Sequence, residues 1–423
     1  IDLVNDTTIT AGNITITGDL GKSTGHGGNL NLNTSATNGA ITINASMSRA
    51  GQWYGFSTFT ANAGTGNLTI TGTNPATNWG GPSSLVTTLT GALNINSTSI
   101  SITGNTFFNA TGNSSITGNL ALASSSTNTW TVNPNLTMTV SGNLSGTSAA
   151  ITKNGTGTLT LTGTNTYSGV TTINAGTLQI GGAGQLGSGT YSQNITNNGS
   201  FIYASTANQT ISGCISGNGS LTVNGTGTLT LSNIANPYTG GTTVNSGTLV
   251  LGNGDAKGVI QGDLVINSGG TVSASASGWS LGWGGTNYYT GPSVSSITIN
   301  GTGTLNFTGT AYTGGLSAST INMTGGTISG VAFDWYDGWT SNPVLNTFAS
   351  STTSTISTDV ALRLSSDSNT LTFNVANGTT SNGIDMLVSG NIIKGISAFG
   401  HNGGGITKNG TGRLVLTGSN NTY

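Results

Sequence analysis

Glutamate does not occur in this chain, and cysteine occurs once, at Cys214. Eight Lys and Arg stand against ten acidic residues, all Asp, so 4% of the 423 residues carry charge, where about 25% is usual for a globular domain. A surface this neutral has no electrostatic footprint for nucleic acid and no polybasic patch for anionic lipid. A single Cys excludes an intrachain disulfide framework. In Ile211-Ser212-Gly213-Cys214-Ile215 the thiol is expected to be a small buried hydrophobe, with an intermolecular disulfide as the alternative. No apolar run reaches the roughly 18 residues of a membrane-spanning helix, and amphipathic stretches of 3.6-residue period are absent. Glycine is plentiful, but 70 Gly and 6 Pro are about 18% of the chain, short of the roughly 25–30% of low-complexity sequences.

Repeats of one short pattern fill the space these absences leave. Ile151, Asn154, Gly155, Gly157, Leu159 and Leu161 return as Leu221, Asn224, Gly225, Gly227, Leu229 and Leu231. They return again as Ile297, Asn300, Gly301, Gly303, Leu305 and Phe307, and as Ile406, Asn409, Gly410, Gly412, Leu414 and Leu416. Further on, Tyr167, Gly169, Ile173, Gly176 and Leu178 match Tyr238, Gly240, Val244, Gly247 and Leu249, and the third copy keeps Tyr312, Gly314, Ile321 and Ile328 at looser spacing. The fourth copy stops in mid-repeat at Tyr423, so the array is expected to continue.

Within each copy apolar residues alternate with Thr, as in Thr158-Leu159-Thr160-Leu161-Thr162, which is the period of a strand with one buried face. Leu and Ile are expected to point inward, and Thr, β-branched yet wettable, outward. The Asn-Gly pairs at 154–155, 224–225, 300–301 and 409–410 precede these strands, where a positive φ would turn a corner. A strand module that cannot bury its own apolar face must stack on its neighbours, so an all-β solenoid follows, with Asn side chains placed to form ladders between equivalent positions. Residues 1–150 repeat the grammar in other words, as in Ile14-Thr15-Ile16 and Asn67-Leu68-Thr69-Ile70. They read as degenerate coils leading into the regular repeats of 151–423, the whole expected to be one continuous rod.

Sites of chemistry are few. A carboxyl pair for sugar hydrolysis would be Asp334 with Asp337, and more weakly Asp255 with Asp263; the competing reading is Asp capping a turn. His26 and His401 stand apart, no His or Cys cluster has ligand spacing, and no metal or cofactor is expected. Aromatic residues break the monotony in three places: Trp53, Tyr54 and Phe56; Trp279, Trp283, Tyr288 and Tyr289; and Trp335, Tyr336 and Trp339. Gly282-Trp283-Gly284-Gly285 is loop-like, so the last two clusters are expected on insertions. There they would serve as interface anchors or sugar-stacking platforms, the alternative being rings folded down over apolar surface.

The copies at 151–180 and 219–251 resemble the autotransporter-associated β-strand repeat, also called the passenger-associated transport repeat, of large secreted bacterial surface proteins. The stretch Gly187-Ser188-Gly189-Thr190-Tyr191, then Asn197-Asn198-Gly199-Ser200-Phe201, is similar as well. The resemblance implies a right-handed parallel β-helix exported across the outer membrane to the cell surface, as adhesin, virulence or biofilm material. The function expected is therefore structural and non-enzymatic: the stalk or fibre of a surface adhesin or extracellular filament. Its expected partner is itself, end to end or through further repeats, because a solenoid's ends carry exposed strand edges. A glycan-binding module using the aromatic clusters on host or matrix glycans is the alternative, and a polysaccharide-degrading β-helix enzyme the third reading.

Overall fold

The computed structural model describes residues 7–17, 29–34, 36–37, 39–44, 58–62, 68–72, 84–88, 93–97, 99–101, 105–110, 112–252, 254, 258–275, 279–282, 294–310, 315–316, 318, 320–336, 343–363, 370–394 and 404–423. The chain divides into two compact units, residues 1–207 and 208–423. Each is a β-solenoid of parallel, stacked coils.

In the first unit a coil lays one strand on each of three faces. Thr127–Val132, Ala150–Asn154 and Thr171–Ile173 stack in parallel on the first face. Thr137–Val140, Thr158–Leu161 and Thr177–Gly182 stack on the second. The third carries short parallel pairs, Asn119–Ala121 with Leu144–Ser145 and Thr164–Asn165 with Gln185–Leu186. Register puts like on like: Leu159 lies opposite Met138 and Leu178, and Thr158 opposite Thr137 and Thr177. Leu159, Leu161, Leu178 and Ile180 are fully enclosed, each burial stabilising by about 1.5–3 kcal/mol relative to exposure. Thr158 points outward but is half-covered by its neighbours, and Thr160 is covered almost completely.

The second unit repeats the plan. Ser220–Val223, Thr242–Val244 and Gly262–Ile266 stack on one face, and Thr228–Leu231, Gly247–Leu251 and Gly270–Ser275 on the next. One outward column runs through Thr228, Thr248, Thr271, Thr304, Thr327 and Thr355. Phe333–Tyr336, Val360–Arg363 and Ile392–Lys394 build a third face.

Corner chemistry follows the expectation at three of the four Asn-Gly pairs, where φ is +73° at Gly155, +60° at Gly301 and +81° at Gly410. A Cβ added at Gly155 would lie 2.3 Å from the Val132 carbonyl oxygen, so both the left-handed backbone and the close approach demand glycine. Gly225 is the exception and turns its corner outside the left-handed region. The third copy differs in another way, because Val294–Thr308 is one strand crossing both faces. It absorbs the corner as an irregularity of register between Gly301 and Thr304 instead of breaking.

Candidate functional site

The aromatic residues singled out from the sequence do not share one environment. Trp335 is a correction: it lies on the strand Phe333–Tyr336, fully enclosed, with its indole Nε1 donating to the Ala318 carbonyl at 3.2 Å. Its strand neighbour Phe333 stacks on Phe307 with centroids 4.4 Å apart. The reason is register, since Trp335 lies opposite the enclosed Leu362 of the adjoining coil and so shares its inward column. Tyr336 ends the same strand, and its side chain lies outside the described residues. Trp279 is in a turn, half-buried, at φ +47°, its carbonyl accepting from Gly282 N–H at 2.8 Å. Trp283, Tyr288, Tyr289 and Trp339 lie outside the described residues, as do Trp53, Tyr54, Phe56, His26 and His401.

The carboxyl candidates are likewise dispersed. Asp334 is buried between Phe333 and Trp335, while Asp337 and Asp255 lie outside the described residues. Asp263 is exposed and accepts from the Ser296 hydroxyl at 2.8 Å. Among the described residues no three His, Cys, Asp or Glu side chains gather as metal ligands do. Cys214 is a second correction. It is half-buried, because the alternation that places Gly213 and Ile215 inward turns the intervening side chain away from the core. Partial burial still raises its thiol pKa.

The polar residues that the structure does bring together belong to the repeats and join coil to coil. Asn165 and Asn236, each two residues before a repeat tyrosine, are fully buried. Asn165 accepts from Leu144 N–H at 3.0 Å and donates to the carbonyls of Gly163 and Gln185 at 2.8 and 3.0 Å. Asn236 accepts from Ile215 N–H at 2.8 Å and donates to Val259 O at 2.9 Å. Asn421, two residues before Tyr423, accepts from Ile392 N–H at 2.8 Å. One carboxamide thus satisfies backbone groups of coils above and below, which a buried polar group requires. The spacing Asn-x-Tyr stands in the sequence at 165–167, 236–238 and 421–423, and also at 287–289 outside the described residues, and in the repeats it is the signal for this bond set.

The tyrosines close a second set of bonds. Tyr167 and Tyr238 meet the hydroxyl four residues on, Thr171 at 2.8 Å and Thr242 at 2.5 Å. Thr171 also bonds Tyr191, 2.7 Å away in the next coil, and Tyr191 donates to Gly169 O at 2.6 Å. Burial pushes the Tyr167 phenol up to about 12 and raises Tyr191 and Tyr238 as well.

At the Asn-Gly corner two different side chains do one job. Lys153 is fully enclosed and donates to the carbonyls of Asn154 and Gly155, both at 2.7 Å, and of Ala175 at 3.2 Å. Burial lowers its pKa from 10.5 to about 8. In the second copy Val223 takes the place of Lys153, and Ser246, at the position of Ala175, donates to Asn224 O at 2.6 Å. Lys408 returns in the fourth copy, donating to Gly410 O at 2.7 Å.

Asn ladders run along the outside. Asn174 donates to Asn154 at 2.8 Å in the first unit. In the second, Asn245 donates to Asn224, Asn267 to Asn245 and Asn300 to Asn267 at 2.6–2.9 Å. A second ladder joins Asn346 to Asn322, Asn374 to Asn346 and Asn409 to Asn374 at 2.8–3.1 Å. The two are offset because Asn300 lies opposite Thr324, and Asn322 opposite Thr298.

Three segments, residues 151–180, 221–251 and 406–423, match the family model described as the passenger-associated-transport-repeat. No curated protein and no solved structure matches the chain.

Proposed function

We propose that this chain, which carries the passenger-associated-transport-repeat in three segments, is a non-catalytic structural stretch of a secreted bacterial surface protein, the stalk or fibre of an adhesin or extracellular filament. The observation that carries this reading is the use the repeat makes of its polar side chains. Asn165, Tyr167, Lys153 and their counterparts Asn236, Tyr238 and Ser246 are spent on bonds to backbone or to one another. A spacer needs length and stiffness, and stacked coils supply both by nearest-neighbour contacts alone. Ladders of neutral amides stabilise such a stack without surface charge.

The test is exposure on intact cells. An epitope inserted at the exposed turn Ser381-Asn382-Gly383 is expected to bind antibody on unbroken bacteria that express the whole protein; labelling only after lysis would overturn the surface assignment. A glycan array probed with the purified chain is expected to stay blank. Specific capture that is lost in Trp279→Ala would replace the spacer by the glycan-binding reading.

A further inference from the structure

The loop Ala376–Asp385 holds an arrangement that the repeats do not use. Asp385 is largely buried, and its Oδ1 accepts the backbone N–H of Gly378 at 2.7 Å while its Oδ2 accepts that of Arg413 at 2.7 Å. The residue before Gly378 is the exposed Asn377. An Asn-Gly amide nitrogen is the nucleophile that closes on the asparagine side chain, and it must give up its proton to do so. A base for that proton has to lie within roughly 2.6–3.2 Å of the donor atom, and Asp385 does. Only glycine fits at 378, where a Cβ would stand 2.3 Å from Ser350 O, so the least hindered nucleophile is held in place. The loop is anchored beside it by Thr379 N–H donating to Ser350 O at 2.8 Å.

We propose that Asn377-Gly378 is a self-modifying site at which Asp385 acts as general base for deamidation. Asp385 Oδ1 takes the proton from Gly378 N; that nitrogen bonds to Asn377 Cγ; the Cγ–Nδ2 bond breaks, and the side-chain nitrogen leaves as ammonia with the proton relayed from Asp385. Water then opens the cyclic imide at either carbonyl, leaving aspartate or isoaspartate at position 377. Several other pairs among the described residues are placed differently. Gly383 N–H donates to the Thr380 carbonyl, and Gly199 N–H to the Asn197 carboxamide. The carboxamides of Asn154, Asn224, Asn300 and Asn409 are held in ladders.

The experiment incubates the purified chain at 37 °C and mildly alkaline pH and follows each Asn-Gly pair by peptide mapping with isoaspartate detection, both folded and in concentrated urea. In urea all pairs should react alike. In the folded chain position 377 should convert about tenfold or more faster than 154, 224, 300 or 382, a modest share of what a placed base can supply, and faster than it does in urea. Asp385→Asn should remove that excess. A folded rate at 377 equal to or below its rate in urea overturns the proposal, whatever the variant does. An excess that survives in a folded Asp385→Asn chain overturns the role of Asp385.

Discussion

The first and second repeat copies solve the same corner in different ways. In the first, Lys153 reaches from inside its own strand to three carbonyls; in the second, Val223 fills that inward position with hydrocarbon and Ser246 of the following coil supplies the donor. What the two have in common is the pair of corner carbonyls that must be satisfied, not the residue that satisfies them. The lysine route places an ammonium where water is excluded, and its depressed pKa records that cost. The serine route needs no charge but depends wholly on the next coil's register.

The largest effect should come from the element that the two copies share. Asn165→Ala and Asn236→Ala each strip donors and acceptors from buried backbone on both sides and should destabilise their own coils by about 2–4 kcal/mol. Hydrogen exchange resolved by coil would check this, and a cost confined to one copy would break the equivalence. Next, Lys153→Val should cost about 1–3 kcal/mol by leaving carbonyls without donors, and adding Ala175→Ser should recover most of it by rebuilding the second copy's corner. A double-mutant cycle with no coupling between 153 and 175 would show that the two solutions are not interchangeable. Ser246→Ala, losing one neutral hydroxyl bond, should cost about 1 kcal/mol.

The last effect is one of pH, and it sets two groups of the first copy against each other in sign. Between about pH 8 and 10.5 the folded chain releases the Lys153 proton while the unfolded chain keeps it, so stability of the first corner rises with pH over that window. Lys153→Val should abolish the rise. Tyr167 acts in the opposite direction: unfolded, it ionises near 10, whereas folded it stays neutral until about 12, so stability falls across that interval. Urea melts of wild type and variant at stepped pH would distinguish the two contributions.

Much of this was legible in the sequence, and the residues show why. Thr158 through Leu161 alternate because one face is buried, and Gly155 and Gly410 mark corners because only glycine accepts their backbone. Trp335 is expected on an insertion by likeness to the loop-like Gly282-Trp283-Gly284-Gly285, and it takes instead the alternative of a ring folded onto apolar surface. Its burial follows from its place opposite the enclosed Leu362, a neighbour in space but not in the chain. Cys214 was misplaced by one step of alternation, enough in a strand to exchange inside for outside. Asn165 and Asn236 were visible as letters, but their role depends on which backbone groups lie above and below them.

Sequence by itself determined the local period of two, the repeat length and the inward Leu and Ile of the repeats, because these follow from propensity and burial within a few residues. Tertiary structure decided which residue answers which across 22 to 33 positions: Lys153 to Ala175, Ser246 to Asn224, Asn300 to Asn267, and not to residue 322. Those pairings depend on coil register, and register is set by stacking the whole coil, which no single segment encodes.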